Sequence, residues 1–397
     1  MRSRPCVKPW LRYAYMGLAL SMVAVLTPYG TAQTAKQVSP QAVLETYATL
    51  VHAGYEDAYI RALALQRALK TLVENPSDTT LEAAKTAWKA ARIPYGQTEA
   101  FRFYSGPIDD DAGPESFLNA WPLDESYIDY VDGNATAGII NHAEIPITSD
   151  QLRTMNEQNG EENISTGFHA IEFLLWGQDQ STTGPGARPY TDFVVSASRA
   201  DSPQLRRGQY VLSVVEMLVH DLKGLVDAWA PGDPNNYRAA FLSVQPAEAL
   251  RRILSGIGTL SQGELAGERL AVALATRDQE DEHSCFSDNT HVDIVENARG
   301  IQNIYKGRYV RVDGTVVEGP GLDTLLSHDL QTSLDQQLAA TMENVQAIVP
   351  PFDREITTDA GRQRVQKAID ALRVQASLIV AMAKELGIPN LQVEIPQ

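Results

Sequence analysis

Apolar positions recur along this chain at helical rather than strand spacing. Leu44, Tyr47, Leu50 and Val51 open one run, which predicts a helix from about Gln41 to Glu74, stopped by Asn75-Pro76. Leu81, Ala84, Ala87, Trp88 and Ala91 carry a second from about Asp78. Pro94 predicts a kink or break after Ile93, with helical character resuming over Gln97 to Tyr104. Residues 105–150 are rich in Gly, Pro, Asp and Asn. They read as a long excursion with short helices, of a length that is uncommon unless functional. Further on, helices are predicted over about Ser202–Ala230, Asn236–Ile257 and Glu264–Thr276, then after the acidic segment Asp278–Asp293 to about Tyr305, and finally over Asp329–Ala347 and Asp359–Leu386. Val310, Val312 and Val316 around Asp313-Gly314 predict one small β-hairpin. No strand set is large enough for a sheet, so the expected fold is all-α. The division expected is two packed helical bundles, residues 33–183 and 187–397, with Ser181-Thr182-Thr183-Gly184-Pro185-Gly186 as the boundary.

One short stretch departs from amphipathic patterning. Between Ser165-Thr166 and Gly177 lie Phe168, Ala170, Ile171, Phe173, Leu174, Leu175 and Trp176, apolar all round, so a buried helix is expected. Ser165 or Thr166 is expected to cap its start, and Gly177 to take the left-handed position past its end. Its only ionisable groups, His169 and Glu172, are three apart on one face. A buried carboxylate costs several kcal/mol unless something answers it. Either a metal ion held by both side chains or an Arg or hydroxyl partner would do so.

Two other segments concentrate polar residues among apolar ones. Arg92, Tyr95, Glu99, Arg102 and Tyr104 follow the second helix, and Glu99 and Arg102 would share a helical face. An arginine there could equally form a surface ion pair or orient a carboxylate of the site. Asn119 through Glu125, with Trp121 and Asp124, adds polar groups from the excursion. The third segment, Glu280 to Asp293, holds His283, Ser284, Cys285, Asp288 and His291. With Asp288 and His291 on a first helical turn, this would be the reverse of His169 and Glu172. The two pairs face to face would offer four nitrogen and oxygen ligands, a set suited to iron or zinc. As an alternative, the segment is a solvated acidic loop with Ser287 or Asp288 as a helix cap. Neither His-Glu-x-x-His nor its inverse is present, since Phe173 follows Glu172. Cys285 lacks an identifiable oxyanion-hole motif and reads as a small buried hydrophobe.

The first residues read as a targeting segment: Arg2, Arg4, Lys8 and Arg12, an apolar run over residues 14–26, then Gly30-Thr31-Ala32 as a cleavage site, with an uncleaved anchor as the alternative. Loss of those four cations takes the formal charge from −17 to −21. So acidic a chain is unsuited to nucleic acid and to anionic membranes, and it attracts cations. Cleavage would leave Cys285 as the one cysteine, which excludes an intrachain disulfide.

Gly167-Phe168-His169-Ala170-Ile171-Glu172, with Ala91-Arg92-Ile93-Pro94-Tyr95, Asn119-Ala120-Trp121-Pro122 and His283 through His291, resembles the imelysin-like family, in particular its iron-regulated protein A branch. The resemblance extends over most of the chain after residue 32. It implies two packed helical bundles with a polar pocket near their junction, in an exported protein of the periplasm or cell envelope. His169 and Glu172 match the family's Gly-x-His-x-x-Glu motif. The expectation is a metal-binding protein for iron acquisition, with His169, Glu172, Asp288 and His291 as ligands. Arg92, Glu99, Arg102, Trp121, Asp124, His283 and Ser284 would line the pocket. Its partners would be the metal ion and other envelope iron-uptake components. A zinc metallopeptidase and a metal-free helical binding module are the alternatives.

Overall fold

A computed structural model describes residues 38–181, 183–196 and 202–393. The targeting segment and its cleavage site lie outside the described residues. Two long helices, Pro40–Glu74 and Asp78–Thr98, pack against each other. Ser39 caps the first with Pro40 at its first position, and Ser77 and Thr80 form a reciprocal capping box on the second. The excursion contains four short helices, Glu115–Leu118, Glu125–Ile128, Gly138–Asn141 and Ser149–Met155. The signature helix, Gly167–Trp176, packs against Asp78–Thr98 and against Pro203–Ala228, which Ser202 caps. Thr290–Lys306 lies on Asp78–Thr98 and ends at left-handed Gly307. A two-stranded hairpin follows, pairing Tyr309 with Val317. His328–Gln346 and Asp359–Glu385 then close the chain. No described helix is long and apolar enough to cross a membrane.

The main apolar core draws on residues from Val43 to Leu391, and a second cluster on residues from Leu265 to Leu372. Trp88, Phe168, Phe173 and Trp176 sit in the first, so the signature helix is buried on every side.

Three local expectations differ from the structure. The second helix runs through Pro94 without a break. Proline there removes one backbone hydrogen bond, but Pro94 is buried, and packing against three other helices holds the backbone helical. The helix expected over Asn236–Ile257 is instead two, Tyr237–Ser243 and Pro246–Thr259, because Pro246 starts a new helix at its first turn. Finally, the gap expected between the helices ending at Ile257 and starting at Glu264 is absent. Pro246–Thr259 continues into a wide helix, Leu260–Val272, and then Ala273–Thr276. Helices with this i→i+5 bonding are rare beyond a single turn. The wide turn places Glu264 beside Arg269, five residues on, at 2.8 Å.

Candidate functional site

Thr166 stands at the N-cap position of the signature helix, but neither its hydroxyl nor that of Ser165 makes a capping hydrogen bond. Their hydroxyls bond Leu152 O and Asn156 Oδ1 instead, which ties the helix start to the excursion. Gly167 has φ +85°, and a Cβ there would stand 2.6 Å from Leu118 O. Only glycine permits both this backbone and this approach. Gly177 closes the helix with φ +71°.

His169 and Glu172 meet each other inside the protein: Nδ1 lies 2.8 Å from Oε2, and the side chains are 1% and 0% exposed. Ser287 answers the other carboxyl oxygen, donating from its backbone N–H at 3.0 Å and its hydroxyl at 2.6 Å. Burial pushes the Glu172 carboxyl up to about 8, against the pull of the Ser287 hydrogen bond and Arg92. Burial, then Arg92 and His283, holds His169 well below the usual imidazole value. Burial thus disfavours charge on both groups. Nδ1 shares a hydrogen with Glu172 Oε2, and the other ring nitrogen, Nε2, is buried without a hydrogen-bond partner.

Beside this pair sits His283. Its ring packs edge-on against His169 at 4.8 Å and against Trp121 at 5.8 Å. Its Nδ1 is 3.3 Å from Asp293 Oδ2, and its Nε2 3.5 Å from Asn119 Nδ2. Arg92 grips Asp293 with two nitrogens at 3.1 Å and also donates to Asn119 Oδ1. Ser284 and Asn289 add hydrogen bonds to the same carboxylate. Burial would raise Asp293, but Arg92 and His283 outweigh it and hold it far below the carboxylate range. Burial and Arg269 push His283 down to about 4. A second network adjoins this one. Glu99 takes Arg102 and Arg269 at 2.7 Å each, and these arginines, against the effect of burial, bring it down to about 2.

A cavity of about 410 Å³ opens onto these networks. It is lined by buried Asn119, His283 and Arg269, by half-buried Trp121, Arg102 and Glu268, and by exposed Glu157 and Glu161. Its two arginines are already paired, with Glu99, Glu115 and Glu264.

The structure thus brings together His169, Glu172, Arg92, His283 and Ser284, with Glu99, Arg102 and Trp121 alongside. It does not bring in Asp124, which caps the short helix Glu125–Ile128. Asp288 and His291 do not form a reversed pair on one helical turn. The helix begins only at Thr290, and Asp288 precedes it with φ +55°. The electrostatic neighbours of Asp288 are Asp179, Asp353 and Lys89. Among the described residues, no three His, Cys, Asp or Glu side chains stand where they could hold a metal ion. His169 Nδ1 and Glu172 Oε2 engage each other, and His169 Nε2 is left without a partner. As placed, His169, Glu172, Asp288 and His291 do not stand as a four-ligand set among the described residues.

Sequence reasoning missed Asp293 and Arg269 as the central charges. Asp293 closed the acidic segment as one carboxylate among several. Arg269 lay on the helix expected over Glu264–Thr276, with nothing in its spacing to join it to Glu99, 170 residues away.

Comparison with known proteins agrees with this architecture. Iron-regulated protein A of Synechococcus elongatus is 28% identical over 371 residues, 91% of this chain and 90% of that protein. The crystal structure of an iron-regulated protein A precursor from Parabacteroides distasonis superposes with a TM-score of 0.68 at 19% identity, over 89% of this chain and 97% of that one. An imelysin-like protein from Psychrobacter arcticum gives 0.60 at 16% identity, over 89% and 98%. Residues 51–379 match the Imelysin family model, and the chain belongs to the imelysin family.

Proposed function

We propose that this chain is an exported, iron-related binding protein of the cell envelope, which takes iron as cargo at the His283 pocket and does not hydrolyse peptides. The observation that carries this reading is the enclosure of Glu172. A hydrolytic site needs a base that can take a proton from water. The Glu172 carboxyl is 0% exposed, is pushed by burial toward its neutral form, and has both oxygens engaged by His169 and Ser287. The open surface of the site is instead the pocket, where Glu157, Glu161 and Glu268 face a cavity that His283 and Trp121 help to line. A net charge of −17 adds a field that concentrates cations. Support for the iron connection comes from the relatives named iron-regulated protein A, and for export from the basic, apolar and small-residue order of residues 1–32.

Iron binding and peptide cleavage measured on the same variants test the proposal. His283→Ala and Glu268→Gln are expected to weaken iron binding at least about tenfold, the loss of one good ligand contact. Glu172→Gln is expected to leave iron binding within about threefold, and no preparation should cleave peptides. Peptide hydrolysis by the wild type that Glu172→Gln abolishes would replace this reading with a peptidase. Iron binding lost in Glu172→Gln and kept in His283→Ala would move the cargo site to the signature pair.

A further inference from the structure

The cavity beside His283 sorts its charges by depth. Its deepest lining residues, His283 and Arg269, are each 2% exposed. Arg269 is paired with Glu264 at 2.8 Å, and Arg102 with Glu115 at 3.0 Å. At the mouth the lining carboxylates are exposed Glu157 and Glu161 and half-buried Glu268. Among the described residues none of these three makes an ion pair, whereas both lining arginines are answered by Glu99, Glu115 and Glu264. Glu157 and Glu161 ride on one tight turn. Glu157 has φ +59°, its N–H donates to Asn163 O at 2.9 Å, and Asn163 Nδ2 donates to Gln158 O at 2.7 Å. At the base of the turn, Asn156 donates to Ser116 O at 3.0 Å and accepts from the Ser165 N–H at 2.9 Å. Glu162 O accepts from the Asp124 N–H at 2.7 Å. The turn is thereby fixed to the start of the signature helix and to the segment that carries Trp121.

We propose that Glu157 and Glu161 are the entry residues of this cavity, steering free iron(II) inward and turning away iron held in an anionic chelate. This role presupposes iron as cargo at the His283 pocket. Three carboxylates without cations leave the mouth negative, because the arginines below them are already neutralised. A dication approaching from water is attracted by each of them. A cleft lined by one sign of charge focuses that field and raises the association rate. The mouth acids do not hold the ion, since no three His, Cys, Asp or Glu side chains stand as a ligand set among the described residues. Their contribution is to arrival rather than to residence. Iron(III) citrate, an anionic chelate, meets the same field with the opposite sign, and neither Arg102 nor Arg269 has charge to spare for it. The turn matters because it is fixed at both ends, so the two carboxylates stay at the mouth instead of dispersing with a mobile loop.

Anaerobic stopped-flow mixing of iron(II) with the full-length protein tests this, read by tryptophan fluorescence at ionic strengths of about 10 mM and about 500 mM. Both positions are exposed, so neither substitution removes a buried contact. The double variant Glu157→Gln with Glu161→Gln is expected to associate at least about threefold more slowly than the wild type at low salt. At high salt the two should agree within about twofold, and their dissociation rates should agree within about twofold at both. Glu157→Lys with Glu161→Lys should slow iron(II) further and tighten the binding of iron(III) citrate at least about threefold. Iron(II) that does not bind the wild type, or binds His283→Ala equally well, overturns the cargo reading and this role with it. Iron(II) that binds the wild type and is lost in His283→Ala, but associates with the double glutamine variant as fast as with the wild type at low salt, overturns the entry role alone. So does iron(III) citrate that binds the wild type as tightly as the lysine variant.

Discussion

Two acidic regions lie within one stretch of chain, and they are built in opposite ways. Asp293, reached by Arg92, His283, Ser284 and Asn289, is saturated, and its carboxyl is held far below its ordinary range. Asp288, five residues earlier, has acids for neighbours, and burial followed by Asp179 and Asp353 pushes it up to about 7. Both lose water. What differs is whether the fold supplies an opposite charge in place of the water, and that decides which protonation state each region keeps. The saturated region is a finished, rigid wall for the pocket. In the unsaturated one, acids face acids and burial favours the protonated carboxyl.

Breaking the saturated region should have the largest effect. Arg92→Ala leaves Asp293 buried and unpaired, and is expected to destabilise the fold by about 3–5 kcal/mol in chemical denaturation. Arg92→Lys should recover part of that loss, since a lysine restores charge without the two-pronged contact. Gly167→Ala comes next, at roughly 2–4 kcal/mol, because the added Cβ meets Leu118 O in a conformation that alanine resists.

The pH dependence of stability separates the two regions by sign. Glu99 is brought down to about 2, so the stability it contributes is present above the unfolded carboxylate value and is lost as pH falls toward 2. Asp179 and Asp288 are raised to about 6 and about 7. Between the unfolded value near 4 and those values, the unfolded chain binds fewer protons than the folded one, so stability falls as pH rises. In EDTA, the Tm of the wild type should therefore pass through a maximum near pH 4–5 and decline toward pH 8. Glu282→Gln should flatten the decline by relieving the acids around it, Asp288 and Asp179 among them. A Tm that rises steadily from pH 5 to 8 would remove the distinction between the regions. The smallest effect serves as a control: Lys223→Ala breaks an exposed pair with Asp227 and should change stability by no more than about 0.5 kcal/mol.

How far the site was legible follows from where its partners lie along the chain. The signature helix was readable because its information is local: an apolar run, two polar residues three apart, and a closing glycine. The hairpin around Asp313-Gly314 was readable for the same reason. The charge partners were not. Arg92 and Asp293 are 201 residues apart, and Glu99 and Arg269 are 170 apart, so nothing in the spacing joins them. Asp288 and His291 show the opposite failure. Their spacing suggested one helical face, but the left-handed backbone at Asp288 and a helix starting at Thr290 take that face away. Pro94 misled because its penalty was judged in an isolated helix, whereas three packed neighbours support the real one. The wide turn at Leu260–Val272, which aims Arg269, has no simple sequence signal beyond its glycines.

In the proposed function, cargo iron enters beside His283 and leaves the His169–Glu172 pair closed. Diffraction from iron-soaked crystals, with anomalous data collected on both sides of the iron absorption edge, tests it directly. An iron peak is expected in the cavity within coordination distance of the His283 ring or of Glu268, with the contact between His169 Nδ1 and Glu172 Oε2 intact. An iron peak between His169 and Glu172, with that contact broken and Ser287 displaced from the carboxyl, would contradict it.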